Sequence, residues 1–209
     1  FSLRTYDLIG EHYVTEIVYV HSKIMIVDDR KAIIGSANIN DRSMLGDRDS
    51  EVAVMIEDLD FVDGQMNGVE YKMGKFAHSL RCDLLKEHLG LVKNHGDEFD
   101  ININDPLANS FIVGVHSRAE LNTIGFLEAF GPGLFPNEKV EDFEALKRYK
   151  DLPLPRKNTD TLRKILEQIK GNIVTYPSTF LIKELKPSVF DFGNMYVNQR
   201  PQQPVTFFA

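Results

Sequence analysis

"YVHSKIMIVDD", residues Tyr19 to Asp29, is the stretch whose reading decides the fold. Residues 14–27 alternate and are rich in Val, Ile and Tyr, which is the pattern of a strand. Strand side chains alternate between faces, so His21 and Lys23 point the same way. Two basic groups side by side are costly to bury without a partner. An anion belongs beside them.

Working outward, "DDRK" (Asp28 to Lys31) is a polar turn and "AIIGSANI" (Ala32 to Ile39) the returning strand. A four-residue loop would set Val27 opposite Ala32, Met25 opposite Ile34, Lys23 opposite Ser36 and His21 opposite Asn38. One face then holds His21, Lys23, Ser36 and Asn38 at its end, with Gly35 leaving room between them. The other face, with Val20, Ile24, Ile26 and Ile33, suits the core. These residue types fit a phosphate: Lys supplies a point charge, Ser and Asn neutral donors. Histidine acts as nucleophile, or as acid and base, near neutral pH. In that role its other ring nitrogen must be held. Glu51, opening a third strand "EVAVMI", is the candidate, and a hydrogen bond from the His21 ring to Glu51 is expected. Arg42, Ser43 and Arg48, in the loop "NDRSMLGDRDS", read equally as phosphate contacts or as a solvated loop.

His21, Lys23 and Asp28 fit HxKxxxxD, and Gly35, Ser36 and Asn38 complete a following GSxN. This resembles the HKD motif of the phospholipase D superfamily. The longer stretch "YVHSKIMIVDDRKAIIGSANINDRSMLGDRDSEVAV" is similar to the second, C-terminal HKD region of eukaryotic phosphatidylcholine-hydrolysing members. "GKFAHSLRCDLLKEHLG" and "YPSTFLI" are also similar to that family's C-terminal portion.

The resemblance implies an α/β fold, a mixed β-sheet flanked by helices, in which two similar halves each give one HKD motif to a shared site. It implies hydrolysis of phosphatidylcholine to phosphatidate and choline, or transfer of the phosphatidyl group to an alcohol, through a phosphohistidine. By analogy the upstream histidine is the nucleophile and His21 the general acid and base. Lys23, Ser36 and Asn38 would hold the phosphate, Glu51 would assist His21, and Asp28 and Gly35 would be structural. No metal or cofactor is implied for the chemistry, and a regulatory phosphoinositide is compatible with it. The implied partners are a phospholipid at a membrane surface and the N-terminal HKD half, with no nucleic acid. The implied location is cytoplasmic and peripheral on membranes. Only one HKD motif is present, and the chain opens on Phe1 rather than Met, so half an active site within a longer protein is expected. The alternatives are a homodimeric HKD phosphodiesterase or nuclease, and a non-catalytic regulatory lobe.

Bulk properties bound these readings. The 209 residues are 43% hydrophobic and 26% charged, enough for a packed core. A net charge of −7 supplies no general attraction for nucleic acid. The lone Cys82 excludes an internal disulfide and suits a reducing compartment. No apolar run approaches the roughly 20 residues of a membrane-spanning helix.

Beyond the hairpin, residues 57–72 read as an acidic connection. A helix over "GKFAHSLRCDLLKEHLG" buries a Phe76, Leu80, Leu84 stripe, ends at Gly90, and leaves His78 and His88 on the surface. Ser117 and Glu120 form a capping box for a helix through Ala129. Further helices cover Val140 to Lys150 and Thr159 to Lys170, separated by "LPLP" and stopped by Gly171. "NIVTYPSTFLI" reads as a strand that Pro177 confines to an edge or an end, and the tail from Lys186 as irregular. The expected division is a catalytic half over 1–110 and a helical and irregular extension over 111–209, packed on the same lobe.

Overall fold

The computed structural model describes residues 1–91, 101–131, 138–150 and 158–184. The "LPLP" break and the tail from Lys186 lie outside them. The architecture is mixed α/β. An N-terminal hairpin, β1 (Ser2–Ile9) and β2 (His12–Ile17), turns at Gly10, and the short β8 (Ile173–Val174) pairs with the other side of β1. Among the described residues β8 lies at the edge of this sheet, but the strand expected through Ile182 stops at Val174, three residues before Pro177, and Ile182–Glu184 form a 3-10 turn. The second sheet has the order β3 (Lys23–Val27), β4 (Lys31–Gly35), β5 (Ala53–Glu57), all antiparallel. Instead of an acidic connection, residues 61–74 form a third hairpin, β6 (Phe61–Met66) and β7 (Val69–Gly74), reversing at Asn67 and Gly68.

The β3–β4 turn corrects the expected register. Asp28 and Asp29 both adopt positive φ (52° and 49°), and Arg30 N–H donates to Val27 O at 3.0 Å. Two consecutive left-handed residues make a tight turn whose twist matches a hairpin. The connection is thus three residues long, and Lys23 pairs with Gly35, Met25 with Ile33 and Val27 with Lys31. A one-residue slip exchanges faces along the whole of β4. Ala32 and Ile34 join Ile24 and Ile26 on the inner face, while Ile33 moves outward beside Met25.

That inner face packs on α2 (Lys75–Leu89). Ile26, Ala32 and Ala77 are its buried centre, with Ile24, Leu80 and Leu84 around them. The helical stripe therefore starts at Ala77, and Phe76 is 39% exposed. Asp29 adds a polar fastening. Its carboxylate, 2% exposed, accepts from Arg81 Nε at 2.7 Å and Nη2 at 2.6 Å and meets His78 Nδ1 at 2.9 Å. Burial pushes the Asp29 carboxyl upward, but hydrogen bonds from Arg81 and His78, and their charges, outweigh it and hold the group low. His78 is thus a partner of the hairpin turn, not a surface residue.

α2 ends at Gly90 in the left-handed conformation, as the sequence predicts. There the backbone crosses that of Gly171, also left-handed (φ 64° and 68°), and Asn172 N–H donates to His88 O at 2.9 Å. A Cβ on Gly90 would fall on Gly171 N, and one on Gly171 on His88 O and Gly90 N. α3 (Asn109–Phe130) begins eight residues before Ser117, which lies inside the helix. Its approach is fixed by the Asp105 carboxylate, which accepts from Leu107 N at 3.2 Å and also from Asn67 N and Gly68 N at 2.7 Å. α4 (Phe143–Lys150) and α5 (Thr159–Leu166) are shorter than expected. Leu3, Cys82, Leu89, Ile103, Val115, Ala119 and Ile173 share one buried cluster, joining β1, α2, α3 and β8.

Candidate active site

The strand expected over 14–27 divides into β2 and β3, which belong to different sheets, and His21 lies in the segment between them, two residues before β3. Val18 and Val20 pack on the core, while Tyr19 and His21 are exposed with their rings stacked at 6.2 Å between centroids. Lys23, the first residue of β3, is half-buried and curls back: its Nζ donates to His21 O at 2.7 Å and lies 3.0 Å from His21 Nε2. An ammonium has donors only, so this contact is favourable when Nε2 carries a lone pair and the ring is neutral, with its proton on Nδ1. The sequence expectation that the two share a side holds.

Opposite Lys23 sits Gly35, whose other neighbour is Ala53 of β5. A Cβ on Gly35 would meet Val52 O at 2.6 Å and Ala53 Cβ at 2.7 Å. The ladder ends at Lys23 and Gly35, so Ser36 does not face Lys23, nor Asn38 His21, across a hydrogen-bonded pair. Ser36 is instead turned to the start of β5. Its hydroxyl donates to Glu51 Oε2 at 2.5 Å, and its Oγ accepts from Val52 N at 3.0 Å. Glu51 is thus partnered with Ser36, and the expected bond to the His21 ring is not formed. Ser36 holds Glu51 where a free phosphate donor was expected. Asn38 is half-buried and its side chain makes no hydrogen bond among the described residues.

The Glu51 carboxylate sits below its usual range. The Ser36 hydrogen bond is the largest cause and the Ser43 hydroxyl the next; Lys23 and Arg42 add positive charge, against some desolvation. Two features absent from the sequence reading appear here. The loop from residue 40 to 50 folds into a short helix, α1 (Asp41–Met44), whose Ser43 N–H is capped by Asn40 Oδ1 at 2.9 Å. Arg42 Nε meets Asp49 Oδ2 at 2.6 Å. Asp28 is an exposed turn residue away from the site. No cluster of three or more metal-ligating side chains occurs among the described residues.

The outer face of this sheet runs from Lys23, Gly35 and Ala53 through Met25, Ile33 and Met55 to Val27, Lys31 and Glu57. Its middle is apolar yet open: Met55 is 62%, Met25 37% and Val27 39% exposed. A polar end, formed by the Lys23 ammonium, the His21 imidazole and the Ser36-bound Glu51 carboxylate, lies beside an uncovered apolar row.

The family model described as phospholipase D matches residues 5–129. Phospholipase D2 of Bos taurus is 40% identical over 189 residues, covering 90% of this chain and 20% of its own length. Phospholipase D C of Dictyostelium discoideum is 49% identical over 131 residues, 62% of this chain and 8% of its own. Phospholipase D zeta 2 of Arabidopsis thaliana is 38% identical over 208 residues, 90% of this chain and 19% of its own. The chain spans at most about a fifth of the length of these relatives.

Proposed function

Because the chain belongs to the phospholipase D family, we propose that it is one half of a phospholipase D active site, hydrolysing phosphatidylcholine to phosphatidate and choline at a membrane surface. Residues 1–110 are read as the catalytic half and 111–209 as an extension on the same lobe. The Lys23 contact with His21 Nε2, at 3.0 Å, is the observation that carries this reading. An ammonium resting on a histidine nitrogen marks the place where a phosphodiester would be received.

Chemistry follows from these atoms. A non-bridging phosphate oxygen draws the Lys23 ammonium to itself, and Asn38 adds a neutral donor. His21 Nε2 is thereby released. In the first step His21, whose freed Nε2 takes a proton from solvent, acts as the acid. The histidine of the other half attacks phosphorus, the P–O bond to choline breaks, and His21 gives the choline oxygen that proton. In the second, neutral His21 takes a proton from water, whose oxygen displaces the first histidine from phosphorus. An acceptor alcohol in place of water gives transphosphatidylation. Glu51, kept ionised, offsets the positive charge of the site through both steps.

The open row of Met25, Val27 and Met55 beside Lys23 supports a second half as the missing cover. The full-length protein on phosphatidylcholine vesicles containing ethanol is expected to release choline and form phosphatidylethanol. This chain alone, as a monomer, is expected to be inactive until the N-terminal half is added. No choline release from folded full-length protein overturns the lipase reading, and full activity in a proven monomer overturns the half-site.

A further inference from the structure

Resting on the phospholipase reading, we propose that Arg42 and Asp49 are positioning residues for Glu51: their ion pair clasps the loop between β4 and β5 and so fixes the carboxylate at the site. Glu51 does not sit on a strand. It ends an irregular segment that leaves β4 after Gly35 and re-enters the sheet at Ala53. A loop of that length has many shapes, and the carboxylate needs one.

Three contacts select it. Asn40 caps Ser43 N–H at one end of α1, Arg42 Nε reaches Asp49 Oδ2 at 2.6 Å across the loop, and Ser36 Oγ takes Glu51 at the far end. Asp49 is two residues from Glu51, so the clasp closes immediately before the functional group. Gly46, with φ of 75°, allows the reversal between the two clasp residues. Arg42 and Ser43 also lie close enough to favour the ionised form of Glu51.

The competing account is an ordinary exposed ion pair, since the side chains are 69% and 34% exposed and such pairs add little to stability. The two accounts differ in what they predict for the loop and for turnover, not for unfolding. In the proposal the pair holds a geometry, and misplacing a group that assists chemistry lowers rate steeply.

The test uses full-length protein carrying Arg42→Gln, Asp49→Asn or the conservative Arg42→Lys. Deuterium uptake is followed in peptides spanning 41–52, with kcat and KM measured on phosphatidylcholine vesicles. Arg42→Gln and Asp49→Asn are expected to exchange faster in those peptides alone, and to lose about tenfold in kcat at little change in KM. Arg42→Lys is expected to recover most of both. Unchanged exchange in Arg42→Gln overturns the clasp whatever the activity. Raised KM with unchanged exchange also overturns it, by making Arg42 a substrate contact. Inactive wild type would overturn the phospholipase reading instead, while the exchange result still decides the clasp.

Discussion

The Ser36 hydroxyl donates to Glu51 Oε2 across 2.5 Å, tying the end of β4 to the segment that enters β5. Glu51 is held low chiefly by this bond, then by the Ser43 hydroxyl and the charges of Lys23 and Arg42. Its ionised form is therefore kept to lower pH than an ordinary glutamate's. Ser36→Ala is expected to raise the Glu51 pKa and move the acid limb of kcat/KM to higher pH. Glu51→Gln should remove that limb and lower kcat. An acid limb unmoved in Ser36→Ala, measured from pH 4 to 8, would show that Glu51 ionisation does not govern it.

His21→Asn and Lys23→Arg are each expected to bring turnover below about a hundredth of wild type, the lower end of what acid–base catalysis contributes. Both side chains point away from the core, so the unfolding midpoint should stay within a degree or two. Arginine keeps the charge, but its planar fork cannot rest on His21 as a compact ammonium does. Choline release near the wild-type rate in either folded variant would remove these residues from the chemistry.

At Gly35 the end of β4 lies against the start of β5. The atoms a Cβ would strike, Val52 O and Ala53 Cβ, belong to backbone or to a side chain with nowhere to turn. Gly35→Ala is expected to cost about 1–3 kcal/mol, as overpacking does, and to weaken the Ser36 anchor with it. Thermal unfolding and choline release together check this. Unchanged values of both would mean that β5 moves aside freely.

Asp29 should contribute to the acid response of the fold. Its folded-state pKa lies below its unfolded value, so its stabilisation is complete above the ordinary aspartate value of 3.8 and fades as pH falls below it. Asp29→Asn leaves Arg81, with a side chain 11% exposed, without its counter-charge. Removing one partner of such a buried pair destabilises by roughly 3–5 kcal/mol. Calorimetry at pH 7 and pH 3 is expected to show a large gap from wild type that narrows at the lower pH. A gap independent of pH would assign the effect to packing.

What could be read from the sequence divides along physical lines. The signals that held are local and one-dimensional: the spacing of His21 and Lys23, the Leu80 and Leu84 stripe, and Gly90 as a helix stop. The hairpin register failed because the left-handed turn is built from Asp28 and Asp29, where glycine would have announced it. With the register went the neighbours of Ser36, and so the partner of Glu51. The start of α3 was hidden because Ala108 supplies no side-chain cap and Asp105, three residues earlier, does the fixing. Asp29 meets His78 and Arg81 from 49 and 52 residues away, and no pattern of residue types encodes a contact at that range.

The crossing of Gly90 and Gly171 makes two distant positions behave as one. Because each lacks a Cβ for the sake of the other's backbone, the first substitution at either place already forces the crossing apart. A second then meets a gap that is open, so the paired change should harm the protein by less than the sum of the singles. In the descent of such chains, a drift at one glycine would relax selection on its counterpart. The end of α2 and the turn before β8 would then change in tandem or not at all.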